Sequence, residues 1–124
     1  LVVSLVSFGY RYGIPTDADL VFDVRFLPNP NFVPRLRKLS GRDARVVRYV
    51  FSFPQAQAFL GRLGELLRYL IPHYAREGKS YLTVAFGCTG GRHRSVAIAK
   101  CLHEELGQQK IPVRVIHRDL MKGG

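Results

Sequence analysis

The sequence predicts an α/β fold, a single layered domain with a small, mostly parallel β-sheet flanked by helices. Three observations carry this reading. Strand-like apolar runs alternate with helix-periodic runs along the chain. One apolar run, residues 81–86, leads through a glycine-rich turn into a helical pattern over 96–106. The length of 124 residues, 47% of them hydrophobic, suffices for one real core and not for two.

Each element follows in order. Residues 1–8 are apolar and β-branched with interspersed serines and read as a strand. Gly13, Pro15 and Asp17 mark residues 9–18 as a loop. Residues 20–27 read as a second strand, with Asp23 and Arg25 on the face opposite Val24 and Phe26. Pro28, Pro30 and Pro34 then exclude regular structure. Ser40-Gly41 starts a helix over 42–51, with Asp43 in its first turn. Pro54 starts another, in which Phe59, Leu63, Leu66, Leu67, Leu70 and Tyr74 recur at helical spacing. Gly78 fits its C-terminal stop. Residues 80–86 form the strand before the glycine-rich turn. Ile98, Cys101, Leu102 and Leu106 form the apolar stripe of the helix after it. Residues 111–116 read as a last strand, and Pro112 places it at an edge or a strand start.

Charge narrows the function. The net charge is +10, which in a small domain points to polyanionic partners. Arg25, Arg35, Arg37, Lys38, Arg42, Arg45 and Arg48 face a single acid, Asp43, within one stretch. A merely solvated surface interleaves both signs, so this stretch reads as an anion-facing patch. No apolar run approaches the ~20 residues of a membrane span. Two cysteines without CxxC or zinc-type spacing fit a reducing, cytoplasmic setting. Leu1 is not an initiator methionine, which suggests a fragment of a longer chain.

Gly87-Cys88-Thr89-Gly90-Gly91-Arg92-His93-Arg94-Ser95 carries the most chemistry. Glycines let a turn fold tightly and aim several N–H groups at one point. The following helix N-terminus adds partial positive charge there. Arg92, His93, Arg94 and the Ser95 hydroxyl add donors, so the turn suits an anion, above all a phosphate. Cys88 and Arg94 also satisfy the Cys-x5-Arg spacing of cysteine phosphatases. There a loop wraps the phosphate, the arginine grips two oxygens, and a thiolate attacks phosphorus. The general acid would be Asp17, Asp19 or Asp23. Binder and enzyme both remain open on spacing alone.

Other signals are weaker. No GxxxxGK[ST] string occurs, which excludes a Walker-type nucleotide loop. His117-Arg118-Asp119-Leu120 matches the start of a kinase catalytic loop, but the companion motifs are missing. It reads as a polar strand end or as further cationic groups beside the basic surface. His73 and His103 have no partner at ligand spacing, so no metal is expected. Tyr10, Tyr12 and Phe32 lie near basic residues, where stacking on a base or sugar and core packing are both open.

These strings together resemble one family. Ser7 to Pro15 (SFGYRYGIP), Phe22 to Pro30 (FDVRFLPNP), Leu36-Arg37 with Ser40 to Asp43, Gly87 to Ser95, and His117-Arg118-Asp119 resemble, in order, the C-terminal domain of the RapZ/YvcJ family. The resemblance covers residues 1–124. It implies a fold similar to a phosphofructokinase subdomain, fused in full-length members to an upstream P-loop domain that this chain lacks. It implies no catalysis and no cofactor. It implies an RNase-adapter role, in which small RNAs are bound and presented to an endoribonuclease, and assembly into homo-oligomers. It also implies sensing of an amino-sugar phosphate, glucosamine 6-phosphate, or a nucleotide sugar. The ligand set would be Thr89, Gly90, Gly91, Arg92, His93, Arg94 and Ser95, with Tyr12 standing where members often carry His. RNA would meet Arg35, Arg37, Lys38, Arg42, Arg45, Arg48, Arg118 and Lys122. Adapter members end in a strongly basic tail, whereas this chain stops at Lys122-Gly123-Gly124.

Overall fold

Strand β1 (Val2–Gly9) divides its side chains between two faces of the sheet. Val3 and Leu5 enter the main core, whereas Val6 and Phe8 join a smaller cluster on the other side. This is the period-2 alternation of a strand buried on both faces. The computed structural model describes residues 1–122. Three further strands complete the sheet: β2 (Leu20–Asp23), β3 (Tyr81–Cys88) and β4 (Val113–His117). The order is β2-β3-β1-β4, and every pairing is parallel.

Helices α1 (Ala44–Phe51), α2 (Pro54–Arg76) and α3 (Arg94–Gly107) pack on the face that carries Val3, Leu5, Leu82, Val84 and Phe86. Handedness explains this one-sided arrangement. The crossovers from β2 to β3 and from β3 to β4 step in the same direction, so right-handed connections put their helices on one face. The β1-to-β2 connection steps the other way, and its Tyr10 and Ala18 cover Val6, Phe8 and Ala85. Burying each large core side chain such as Leu67 or Phe86 contributes roughly 2 kcal/mol.

Several boundaries differ from the sequence reading, each for a tertiary reason. β2 stops at Asp23, not at residue 27. Past Val24, whose N–H reaches the Gly87 carbonyl, the chain turns and Leu27 bonds back to Val24. Gly87 and Cys88 belong to β3, because they pair with Phe8 and Gly9 of β1. Arg94 and Ser95 lie in the first turn of α3. Asp43 is the N-cap of α1, accepting the Arg45 N–H, and does not sit in its first turn. Helix α2 buries Ala56, Leu63, Leu67 and Ile71, while Leu66 turns outward. Gly78, with φ of +91°, follows α2 as the stop signal implies. Among the described residues, no helix is long and apolar enough to cross a membrane.

Candidate functional site

The site forms where β1 and β3 end side by side and their chains leave in opposite directions. Open parallel sheets leave a crevice at such a point. Here glycines close the backbone down on itself. A Cβ on Gly9 would lie 2.7 Å from both Gly90 O and Gly91 N. Gly91 has φ of +76°, and a Cβ there would stand 2.6 Å from Gly9 N. The turn after β3 therefore lies flat against the end of β1. Arg11 N–H donates to Thr89 O at 3.1 Å, and Gly41 N–H to Arg92 O at 2.7 Å. Gly90, by contrast, has open space where a side chain would be.

Beside this turn is a hollow of about 400 Å³. Arg11, Arg92, Arg94, His93, Thr89, Gly90 and Cys88 line it together with Asn29, Asn31 and Phe32. The lining holds three guanidinium groups and no carboxylate. Among the described residues, no protein acceptor takes the N–H groups of Gly90, Gly91 or Arg92. Three guanidinium groups, the backbone of Gly90 and Arg92 and the start of α3 border this one volume, an arrangement that can hold an oxyanion.

Arg94 has a double role. Its side chain is buried, and Nη1 donates to the carbonyls of Arg25 at 2.7 Å and Leu27 at 3.2 Å. These bonds hold the β2 exit segment against α3. Nε is buried without a protein partner among the described residues. Desolvation pulls the Arg94 pKa down, with the Cys88 and Asp23 charges acting in the opposite sense. Arg92 Nε is likewise buried and unpartnered. His93 is buried and its Nε2 lies 3.1 Å from Arg37 O. Burial holds its pKa below the usual imidazole range, so the ring is neutral at pH 7. Positive charge in the hollow thus comes from arginine.

The remaining predicted site residues fall in different places. Ser95 is buried and its Oγ lies 3.1 Å from Cys88 Sγ. Gly91 contributes backbone, behind the hollow. Tyr12 does not line the hollow, and Lys122 Nζ stands 5.1 Å over its ring. The residues for phosphatase chemistry are poorly disposed. Asp23 is gripped by Arg25 through Nε and Nη2, and this bonding holds its pKa below the ordinary carboxylate value. It is an anion with no proton to give. Asp19 is tied to Lys79 and the Thr83 N–H, and Asp17 is exposed. Among the described residues, no cluster of three His, Cys, Asp or Glu could hold a metal.

The basic residues divide into distinct groups. Lys38, Ser40 and Arg42 share a second, open hollow of about 590 Å³ with Arg92 and Met121. Arg35, Arg45 and Arg48 line a third of about 320 Å³ with Tyr49. Arg37 is exposed, and its Nε donates to Asn31 O at 2.8 Å. Arg118 and Lys122 both pair with Asp119, which is fully buried and also accepts the Gly9 N–H. Burial alone would raise the Asp119 pKa, but bonds from Arg118, Gly9 and Lys122 outweigh it and hold the group at about 2. The Gly123-Gly124 end of the tail lies outside the described residues.

Sequence reasoning missed Asn29 and Asn31 as lining residues. The repeated prolines of PNPNFVP signalled a shaped turn there, and Asn29 caps it by accepting the Asn31 N–H at 3.0 Å. Asp119 has no kinase-like role in its HRDL string; it fastens the ends of β1 and β4 together.

The family model described as RapZ C-terminal domain matches residues 1–121. A protein named as nucleotide-binding from Koribacter versatilis is 59% identical over 122 residues, 98% of this chain and 40% of its own length. One with the same description from Anaeromyxobacter dehalogenans is 60% identical over 122 residues, again 98% of this chain and 42% of its length. One from Caldanaerobacter subterraneus is 53% identical over 120 residues, 97% of this chain and 42% of its length. The chain thus spans about two fifths of the length of these curated relatives. With the match reaching from Leu1 to Met121 and taking in the glycine turn, Arg94 and Asp119 alike, the chain belongs to the RapZ C-terminal domain family.

Proposed function

We propose that this domain is a non-catalytic sensor that binds a phosphorylated amino sugar or nucleotide sugar in the hollow beside the Cys88–Arg94 turn. The phosphate meets the amides of Gly90 and Arg92 and the guanidinium groups of Arg11, Arg92 and Arg94. The single observation that carries this reading is a hollow with three arginines, no carboxylate and unpaired backbone donors. The description of relatives as nucleotide-binding proteins points the same way.

On this reading the grooves of Arg35, Arg45 and Arg48 and of Lys38 and Arg42 take RNA phosphates. The domain then serves in the cytoplasm as the ligand-sensing, RNA-holding part of an RNase adapter, working as a homo-oligomer beside a ribonuclease. Calorimetry with glucosamine 6-phosphate, UDP-N-acetylglucosamine and inorganic phosphate tests the sensor. Absence of heat from all three at millimolar concentrations overturns it. Light scattering tests the oligomer, and a monomer at all concentrations removes that part.

The phosphatase reading is disfavoured because Arg25 holds Asp23 as a carboxylate and Lys79 does the same for Asp19. Turnover of p-nitrophenyl phosphate that vanishes in Cys88→Ser would restore it.

A further inference from the structure

Phe32 is the one large apolar side chain at the mouth of the hollow, and it is 78% exposed. An aromatic ring left in water is ordinarily an isolated accident. This one stands on a turn built to hold it. Pro30 beneath it is buried, Phe32 N–H donates to Asn29 O at 3.1 Å, and Val33 N–H to Pro30 O at 3.0 Å. Asn29 Oδ1 caps the turn, and Arg37 Nε ties Asn31 O from outside. Prolines at positions 28, 30 and 34 restrict the backbone further. Phe32 has no aromatic partner among the described residues, unlike Phe26, which is also exposed but packs edge-on against Phe59. A solvent-facing ring on a constrained turn beside a polar hollow is a prepared surface for the rest of a ligand.

We propose that Phe32 is a specificity-determining residue: it stacks on the ring of a phosphorylated sugar whose phosphate lies at Gly90–Arg92. This rests on the anion-binding reading of the same hollow and adds which part of the ligand is read, and by what. The C–H groups of a sugar ring carry slight positive charge and suit the negative face of an aromatic ring. The amides of Asn29 and Asn31 stand beside Phe32 and suit hydroxyl groups at the ring's edge. A polar lining of this kind favours a hydroxylated ring over a flat, less polar nucleobase.

The test compares three probes by calorimetry: inorganic phosphate, glucosamine 6-phosphate and adenosine 5′-monophosphate. Wild type should bind the sugar phosphate more tightly than phosphate itself. Phe32→Ala should weaken the sugar phosphate on the order of tenfold while leaving inorganic phosphate unchanged. Phe32→Trp should restore the difference. Thermal unfolding should be unmoved, since the side chain is largely outside the core. If Phe32→Ala leaves both affinities as they were, the stacking role is overturned and the phosphate reading stands. If neither phosphate nor sugar phosphate binds wild type, the reading of the hollow falls and this inference with it. Tighter, Phe32-dependent binding of the nucleotide would overturn the choice of a sugar ring.

Discussion

The carboxylate of Asp119 accepts the main-chain N–H of Gly9 at 2.8 Å, across 110 residues of sequence. Gly91 packs directly against both partners, since a Cβ on Gly91 would lie 3.0 Å from that of Asp119. The pair therefore sets the floor on which the glycine turn rests. Arg118 and Lys122 complete the arrangement from outside, and Arg118 Nη2 reaches on to Gly13 O at 2.6 Å.

This pair should make stability acid-sensitive. The Asp119 pKa is lowered to about 2 in the folded protein, against about 3.9 in an unfolded chain. Its contribution is complete above about pH 5 and is lost as pH falls through about 2, amounting to about 2 kcal/mol. Asp119→Asn should remove that part of the acid dependence while keeping an acceptor for Gly9. Asp119→Ala should cost about 2 to 3 kcal/mol at pH 7, because a buried N–H loses its partner. Urea unfolding at pH 7, 4 and 3 checks both. An unchanged acid profile in Asp119→Asn contradicts the assignment.

Glycine substitutions should separate packing from binding. Gly91→Ala is strained twice, by φ of +76° and by the approach of Gly9 N at 2.6 Å. It should lose about 1 to 3 kcal/mol of stability. Gly90→Ala meets nothing within 4 Å and should fold normally. Its methyl group sits where the turn borders the hollow, so phosphate affinity should fall while the melting temperature holds. The reverse pattern would place the ligand elsewhere.

Two arginines of the hollow should behave differently. Arg11 is exposed, so Arg11→Ala should weaken phosphate binding about tenfold and alter stability by no more than about 0.5 kcal/mol. Arg94→Ala should abolish binding and also destabilise the fold by about 2 to 3 kcal/mol, since the carbonyls of Arg25 and Leu27 lose a charged donor. Calorimetry beside differential scanning measures both. Full affinity in Arg94→Ala removes that residue from the site.

RNA affinity should follow which cations are free, not how many there are. Arg35 and Arg48 carry no ion pair among the described residues, whereas Arg118 and Lys122 share Asp119. Arg35→Gln with Arg48→Gln should flatten the logarithmic salt dependence of RNA binding by about 0.7 for each phosphate that is no longer neutralised. Arg118→Gln should leave the slope unchanged. Filter binding across roughly 50 to 200 mM salt is the measurement, and a slope insensitive to the double substitution refutes the groove.

The order of strands and helices was readable from the chain because it is written in local periodicity. Tyr81 to Cys88, the glycine turn and the stripe of Ile98, Leu102 and Leu106 show it best. The end of β2 was not readable. FDVRFL continues a strand-like pattern, and only the bonds from Gly87 and Arg94 bend it away after Asp23. Tyr12 illustrates a further limit: a neighbour of the first loop in sequence need not line the hollow, and here Lys122 stands over its ring.

Sequence alone established an α/β domain, a glycine-rich turn between a strand and a helix and a surplus of positive charge, since spacing and composition are local quantities. Tertiary structure alone decided which segments meet and what lines the hollow beside the turn. Asp119 accepts the Gly9 N–H, the Arg94 guanidinium reaches the carbonyls of Arg25 and Leu27, and Asn29, Asn31 and Phe32 line one hollow with Thr89. These contacts join segments separated by dozens of residues, where distance in space sets the Coulomb and packing energies and distance along the chain does not.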